Sequence, residues 1–440
     1  MFDLVAQYLV GVPGRPDFDS VELAMHKRVL FVAYNFPPHG GAGVQRSVKF
    51  VKYLPQFGWD PLVLTTAADA NPMQDPSLLT DITEDRCIFR VPAFSIAKLQ
   101  AYLSRYKLGS LAVLLNVLLQ IPDATLFWAY HVRAKVAQVV QHFEPQIIYT
   151  TSGPYSSHLV GMWARQAFGI PWFADFRDPW SQNLLIPYLP GYRTLNRRIE
   201  RRVLAQADRV ACVSQPWLDD LYRNLGTQCE KFLVLSNGYD ESDIQPLAMP
   251  SATDRFTLTH IGSFYRNRRP DVLIQAVELL VSSRRIPLSE IRVLFIGSNA
   301  RRTVPDRPPF ETRSYVAHKE LEHIRRKTSV FLLILATAPD NIGNYSGKLF
   351  EYLASNRPIL GIVPPGGVAE LLIRKTRTGI AVGGDVSAIA DAIEALYHQW
   401  KSDASDWNPD MDLIRQYTRR TLTARLAAEF EHMISEEALP

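Results

Sequence analysis

The chain has 440 residues, enough for two or three domains that each bury a core of their own. Hydrophobic residues make up 47% and charged residues 21%, a balance that excludes general disorder and a polytopic membrane protein. The net charge of +4 suits a protein that handles anionic ligands or visits an anionic membrane surface, but it is too small to indicate nucleic-acid binding.

The cysteines and the N-terminal segment bear on localisation. Cys87, Cys212 and Cys229 lack CxxC spacing, which argues against a disulfide framework and a structural zinc site and favours a reducing compartment. Residues 1–24 contain a short apolar run with no basic residue before it, so we expect an extension outside the core rather than a signal peptide. We predict a cytoplasmic protein, with the inner face of the cytoplasmic membrane as an alternative location.

The first strong element is a strand followed by a glycine-rich turn. Residues 29–33 are continuously apolar, as in a strand buried on both faces, and a helical pattern begins at Val44. Between them, Gly41 and Gly43 let backbone amides approach a ligand at the positive end of the new helix, which predicts an oxyanion or phosphate site. The turn is not GxGxxG, so a dinucleotide fingerprint is absent; the alternative is a purely structural turn.

Two segments of the first half raise the question of membrane contact. Residues 108–121 carry no formal charge and are too few to span a bilayer, so they predict either a core helix or a helix lying in a membrane interface. The helix predicted over residues 193–209 is rich in arginine and forms either a solvated face or a surface for anionic lipid. We therefore keep peripheral membrane contact through 105–121 and 193–209 as a hypothesis.

A charged cluster follows the strand predicted over residues 171–174. Asp175, Arg177 and Asp178 come at the carboxyl end of that strand, where open parallel sheets bind their ligands. The sequence therefore indicates a functional site here, and a structural Asp–Arg pair is the alternative.

The polar stretch 241–254 is the clearest domain boundary. Strands and helices alternate on both sides of it, which implies parallel sheets covered on both faces. We predict four regions: an extension, an N-terminal domain, a C-terminal domain, and a C-terminal helix that returns to the N-terminal domain. Their bounds are 1–24, 25–240, 241–410 and 411–440.

The second domain carries two further candidate ligand sites. The turn Gly262-Ser263 ends its first strand and is followed by three arginines, whose planar donors suit a diphosphate; solvated surface arginines are the alternative. Residues 345–363 read as a helix, a turn and a buried strand. Lys348 lies in the first turn of that helix, where the helix dipole disfavours a cation, and Glu351 follows one turn later. Taken alone, these two residues are better explained as a solvated Lys/Glu pair on a surface helix.

Four motifs in this order carry a resemblance to a known family. They are Pro-Pro-His-Gly-Gly-Ala-Gly at 37–43, Ser-Asn-Gly-Tyr-Asp at 236–240, the Gly262-Ser263 turn, and Gly-Lys-Leu-Phe-Glu-Tyr-Leu at 347–353. From residue 27 onward the chain resembles the GT-B glycosyltransferases, in particular the retaining, nucleotide-sugar-dependent family 4 type. Residues 174–180 resemble members that build bacterial surface polysaccharides. The resemblance implies an α/β fold with two doubly wound Rossmann-like domains facing across a cleft.

By this resemblance, a UDP- or GDP-linked sugar binds in the second domain, and the acceptor, a glycan or lipid-linked saccharide, binds in the first. Glu351 matches the family's glutamate that accepts hydrogen bonds from the ribose hydroxyls. Arg268 stands where members carry a diphosphate-binding lysine, with Arg266 as a helper. Gly41 and Gly43 would bring amides to the diphosphate from the opposite domain.

The chain departs from the family at three positions. A second glutamate near the donor sugar is replaced by Gly343, the arginine after the turn glycine is replaced by Ser263, and the acceptor-side histidine aligns with Arg177. Acid/base or polar help on the acceptor side therefore falls to Asp178 and Asp175. The remaining residues predicted to bind the nucleotide sugar are Gly262, Ser263, Ser346, Gly347 and Lys348.

The predicted chemistry is sugar transfer without a metal or other cofactor. Asp-x-Asp occurs only at 17–19 and 410–412, and neither follows a predicted strand. Charge on the departing diphosphate would instead be stabilised by arginines and loop amides. The alternatives are a nucleotide-sugar epimerase on the same fold and a non-catalytic sugar-nucleotide or polysaccharide-assembly binding protein. A Rossmann dehydrogenase is disfavoured because the dinucleotide fingerprint is missing.

Overall fold

A computed structural model describes residues 27–68, 74–83, 86–93, 121–183, 191–226, 230–244, 255–264, 268–297, 299–314, 318–402 and 407–437. Residues 1–24 and the uncharged run 108–120, on which two of the predictions fall, lie outside the described residues. The described chain forms two parallel sheets, of seven and six strands, flanked by helices. The predicted α/β architecture with two doubly wound domains is confirmed.

The first sheet has the strand order β3-β2-β1-β4-β5-β6-β7, with every neighbouring pair parallel. Its interior strands are apolar because both faces are covered by helices. The strands are β1 Lys27–Val32, β2 Trp59–Thr66, β3 Ile88–Val91, β4 Ile147–Thr151, β5 Trp172–Phe176, β6 Arg209–Cys212 and β7 Phe232–Val234. The helices are α1 Ala42–Tyr53, α2 Leu126–Phe143, α3 Ser156–Phe168, α4 Tyr192–Gln206 and α5 Gln215–Leu225.

The second sheet has the order β10-β9-β8-β11-β12-β13, again with parallel neighbours. Its strands are β8 Phe256–Ile261, β9 Ile291–Ile296, β10 Phe310–Arg313, β11 Val330–Ile334, β12 Ile359–Ile362 and β13 Gly379–Val382. Its helices are α6 Asp271–Ser282, α7 Ala300–Thr303, α8 His318–Lys327, α9 Gly347–Ala354, α10 Val368–Lys375 and α11 Val386–Lys401. In both sheets the order reverses beside the first strand of the domain, so each has a topological switch point.

Three strands were not predicted from the sequence, and all three are edge strands. β3, β10 and β13 each end their sheet. Ile88–Val91 and Phe310–Arg313 bury one side chain each, and no side chain of Gly379–Val382 is fully buried. These three edge strands therefore lack the continuous apolar run that identifies a strand buried on both faces.

The chain ends with two helices, α12 Met411–Arg415 and α13 Arg419–Glu437, and the second lies on the N-terminal domain. Its buried side chains join the cluster that contains Val29 and Phe31 of β1. The Phe430 ring lies 5.1 Å from that of Trp59, and the Trp59 indole donates to Glu431 at 3.0 Å. The polypeptide thus crosses from the first domain to the second and back.

A buried lysine attaches the start of the interdomain linker to α1. Lys49 Nζ lies 2.6 Å from Asp240, 2.7 Å from Asp81 and 2.8 Å from Asp243. Burial raises the pKa of Asp240, but hydrogen bonds from Lys49, from the Ser242 backbone and from Tyr53 outweigh it and hold that pKa well below its usual range. The helix that follows the glycine-rich turn is therefore tied to the point where the chain leaves the domain.

Candidate functional site

The carboxyl edges of the two sheets meet in a direct contact. Ser214, just after β6, donates from Oγ to the carbonyl oxygen of Gly343, in the loop after β11, at 2.7 Å. A Cβ placed on Gly343 would lie 2.4 Å from the Trp217 ring, so this loop is packed against α5. The position at which the family resemblance implies a second glutamate has no room for a side chain in this arrangement.

On the C-terminal side, the turn after β8 brings three chain segments together. Gly262 has φ 147°, a conformation that L side chains rarely adopt, and a Cβ there would lie 3.1 Å from Cε of Lys348. A Cβ on Gly297, after β9, would lie 2.2 Å from the Gly262 carbonyl oxygen. The absent side chains allow this close approach, and Lys348 extends from α9 over the turn.

The buried ring of His260 lies under this turn. Its Nδ1 donates to the carbonyl oxygen of Leu332 at 3.1 Å, and its Nε2 lies 3.6 Å from where a Gly262 Cβ would be. Burial, together with the positive charges of Lys348 and Arg268, lowers the pKa of His260 to about 4. The imidazole is therefore neutral at pH 7, and both cations lie within electrostatic range of it.

Glu351 lies one turn along α9 from Lys348 and is held by an arginine that sequence reasoning missed. Arg325 of α8 donates from Nη2 to Glu351 Oε2 at 3.1 Å. The Glu351 side chain is 30% exposed and that of Arg325 is 7% exposed. Because the two residues are 26 positions apart on different helices, no local pattern could have indicated the pair.

The start of α9 offers backbone donors. Ser346 is the N-cap residue, but its side chain makes no capping hydrogen bond to the described part of the chain. A Cβ on Gly347 would have no atom of the described chain within 4 Å, so the space beside the first turn is open. Such uncapped amides at the positive end of a helix suit an anion.

The remaining predicted residues of this side are the serine and arginines after Gly262. Ser263 is exposed and Arg268 is half-buried. Arg269 pairs with Asp271 at 2.7 Å on the surface, and Arg266 lies outside the described residues.

On the N-terminal side, Gly41 and Gly43 begin α1 after β1. Gly41 has φ 115° and no side chain with which to cap the helix. A Cβ on Gly43 would lie 1.2 Å from Nη1 of Arg177, so the guanidinium occupies the space beside this glycine. Arg177 also donates from Nε and Nη2 to Asp178 Oδ2 at 3.0 and 2.8 Å. The two sequence-predicted features, the glycine turn and the charged cluster, are thus in contact.

Asp175 differs from its expected position. β5 continues through Phe176, so Asp175 lies within the strand, fully buried, rather than after it. Arg46 of α1 binds both carboxylate oxygens, at 2.9 and 3.1 Å, and Tyr149 donates at 2.6 Å. Burial raises the pKa of Asp175, but the charge and hydrogen bonds of Arg46 overcome this and lower it. This is the structural Asp–Arg pair that the sequence left open, with Arg46 as the partner.

Within the described ranges there is no group of three or more His, Cys, Asp or Glu side chains placed to hold a metal ion. A search of the same ranges also finds no helix with the length and apolar character needed to cross a bilayer.

Two family models match the chain. Residues 40–238 match the one described as "Glycosyl transferase 4-like domain", and residues 255–399 match "Glycosyl transferases group 1". These ranges together cover most of the chain and contain every strand of the two sheets except β1. A sequence comparison with curated proteins finds no significant match.

Solved structures of the same architecture are similar over almost the whole chain. A glycosyltransferase from Rickettsia africae ESF-5 has a TM-score of 0.63 at 12% identity, covering 93% of this chain and 99% of its own. Sucrose-phosphate synthase from Thermosynechococcus elongatus has a TM-score of 0.60 at 14% identity, covering 93% and 100%. A UDP-N-acetylglucosamine 2-epimerase has a TM-score of 0.50 at 12% identity, covering 94% and 97%.

The two facing doubly wound domains and the residues at their edges thus define a GT-B fold. The chain belongs to the glycosyltransferase family and is a glycosyltransferase, as the sequence resemblance implied.

Proposed function

We propose that the protein transfers a sugar from a UDP- or GDP-linked donor to a glycan or lipid-linked acceptor in polysaccharide biosynthesis, with retention of configuration and without a metal. The observation that carries the donor assignment is the convergence at the Gly262 turn. Lys348 reaches over that turn, Arg268 lies near it, and the first turn of α9 presents uncapped amides beside open space. Cations and oriented amides suit a diphosphate.

The nucleoside would lie along α9, with its ribose hydroxyls donating to Glu351. Arg325 holds that carboxylate through a hydrogen bond, while about a third of the side chain stays exposed toward solvent. The same helix would thus bind the phosphates at its first turn and the ribose one turn later. Ser346, Gly347 and Ser263 are the small residues that leave space for the ligand there.

The reaction needs stabilisation of the departing diphosphate. As the sugar–phosphate bond breaks, negative charge collects on the leaving phosphate while the sugar becomes oxocarbenium-like. Fixed donors aimed at that charge lower the barrier without reorganising. We assign this role to Arg268 and Lys348, with Arg266 as a helper and the Gly41 amide from the opposite domain. The acceptor hydroxyl would pass its proton to the leaving phosphate.

We leave Asp175 out of the catalytic assignment, since its carboxylate oxygens are bound inside the first domain by Arg46 and Tyr149. Asp178 is 43% exposed and remains the candidate for polar help to the acceptor.

A direct test is transfer of isotope label. Label from UDP- or GDP-sugars should appear in a lipid or glycan fraction, and Arg268→Ala should reduce that transfer about 100-fold or more. Free epimerised sugar nucleotide with no labelled acceptor would support the epimerase alternative instead. Transfer that is abolished by a chelator and restored by Mn²⁺ would contradict the proposed metal independence.

Attachment to an anionic membrane is part of the proposal, with α4 as the contacting surface. Its outward side carries exposed arginines and a leucine that is 41% exposed. These residues are Arg193, Leu195, Arg198, Arg201 and Arg202. The protein should float with vesicles that contain anionic lipid, and Arg201→Glu with Arg202→Glu should abolish flotation. Flotation that does not depend on anionic lipid would contradict the assignment.

A further inference from the structure

Arg177 lies at the topological switch point of the first sheet. The strand order reverses between β1 and β4, and crevices outside the carboxyl ends of strands at such points are where open α/β sheets bind ligands. The guanidinium lies against Gly43, after β1, and its Nη2 is 3.9 Å from the Cβ position of Gly153, after β4. One cationic group thus lies between the two loops that form this crevice.

The loop after β1 is shaped around that group. A Cβ on Gly43 would lie 1.2 Å from Nη1 and 2.4 Å from Cζ of Arg177, so the guanidinium would have to leave this position to admit a side chain. Asp178 holds the other edge of the guanidinium through Nε and Nη2. Glycine at 43 therefore leaves room for the Arg177 side chain. The sequence had indicated a different role, in which a glycine here lets a backbone amide approach a ligand.

Two buried hydroxyls in the segment that follows β4 lack partners within the described part of the chain. Ser152, between β4 and Gly153, and Ser157, in the first turn of α3, are buried, and neither Oγ has a hydrogen-bond partner among the residues that the structure describes. Buried polar atoms without a partner are uncommon and costly, and they mark places where a ligand or water completes the bonding. This observation is independent of Arg177, and both serines follow β4, one of the two strands that border the crevice.

We infer that Arg177 is a substrate-contacting residue that binds an oxyanion group in this crevice. The group is either a phosphate of the donor or an acidic group on the saccharide acceptor, because a guanidinium at a fixed angle recognises carboxylate and phosphate oxygens alike. Where the family resemblance implies a histidine, this chain thus has a guanidinium, which favours an anionic group. The inference rests on the proposed glycosyl transfer.

The test is calorimetric titration of the full chain with two probes, inorganic pyrophosphate and glucuronate. Arg177→Gln should weaken the binding of one probe about 10-fold or more, and Arg177→Lys should weaken it less. Loss for pyrophosphate identifies the donor phosphate as the group, and loss for glucuronate identifies the acceptor. Wild-type protein that binds neither probe, or Arg177→Gln that binds both as wild type does, overturns the inference.

Arg165→Gln is the matched control, since Arg165 pairs with Asp208 at 2.8 Å in the same domain, at the amino end of β5 and β6. It should leave both affinities unchanged. Gly43→Ala should reproduce the effect of Arg177→Gln, and combining the two should add little, because both remove one interaction. Fully additive losses would show that Gly43 acts independently of Arg177 and would overturn the conclusion that it leaves room for the Arg177 side chain. Failure of the proposed function is distinguishable, since it would appear as wild-type protein that binds neither UDP nor GDP.

Discussion

Replacing Glu351 by glutamine should reduce the preference of the protein for ribonucleotides over 2′-deoxyribonucleotides. In the proposed site the charged carboxylate accepts hydrogen bonds from the ribose hydroxyls. A hydrogen bond to a charged group contributes about 1.5–3 kcal/mol, whereas one between neutral groups contributes about 1 kcal/mol. Because Arg325 already uses part of the carboxylate and the side chain is 30% exposed, we expect the lower end of the charged range.

That energy corresponds to about a 10-fold difference in Kd between UDP and 2′-deoxy-UDP, or between GDP and 2′-deoxy-GDP, for wild-type protein. In Glu351→Gln the remaining neutral hydrogen bond, at about 1 kcal/mol, should lower the ratio to about 5. Calorimetry with each nucleotide pair measures the ratio directly. A change in the overall fold would weaken both nucleotides equally, so it would not alter the ratio. A variant that retains the wild-type ratio would refute the assignment of Glu351 to the ribose.

Glu311→Gln is the control for this experiment. Glu311 forms an Arg–Glu pair with Arg292 at 2.5 Å on the edge strand β10 of the same domain, and its side chain is 44% exposed. Its replacement removes a comparable ion pair outside the proposed site. The ribo-to-deoxy ratio should therefore match that of wild type.

Three predictions concern stability. Asp175→Asn leaves Arg46 buried without its counter-charge and should cost about 3–5 kcal/mol of unfolding free energy in urea titration; a loss under 1 kcal/mol would contradict this account. Burial raises the pKa of Glu200 from 4.5 to about 7, so the folded state keeps a proton that the unfolded chain has lost, and stability should fall by roughly 3 kcal/mol as pH rises from 4.5 to 7. Glu200→Gln should flatten that slope in thermal melts across this range, and an unchanged slope would exclude Glu200 as its cause. Phe430→Ala removes a buried ring that packs on Trp59 and should cost about 3–5 kcal/mol by the same urea measurement; a loss under 1 kcal/mol would contradict the packing of the final helix on this domain.

The two-sheet architecture could be read from the sequence because its interior strands are buried on both faces. Runs such as 29–33 and 359–363 must be apolar throughout, and the helices between them carry apolar residues at helical spacing. The turn glycines could also be predicted, since the close approach of neighbouring segments to Gly262 requires a residue without a side chain. Three of the four edge strands, β3, β10 and β13, were missed because strands with so little burial produce no such run.

The partners of the charged residues were decided by tertiary structure alone. The sequence placed Asp175 just after a strand, where it could contact a ligand. In the structure Arg46, 129 positions earlier, binds its carboxylate inside the domain. Glu351 pairs with Arg325 of another helix, and the contact of Trp217 with Gly343 joins two domains. Local sequence patterns report which face of an element is apolar, because burial repeats with the period of that element. They do not report which distant charge or ring will contact a given side chain, because that depends on how the elements pack in the tertiary structure.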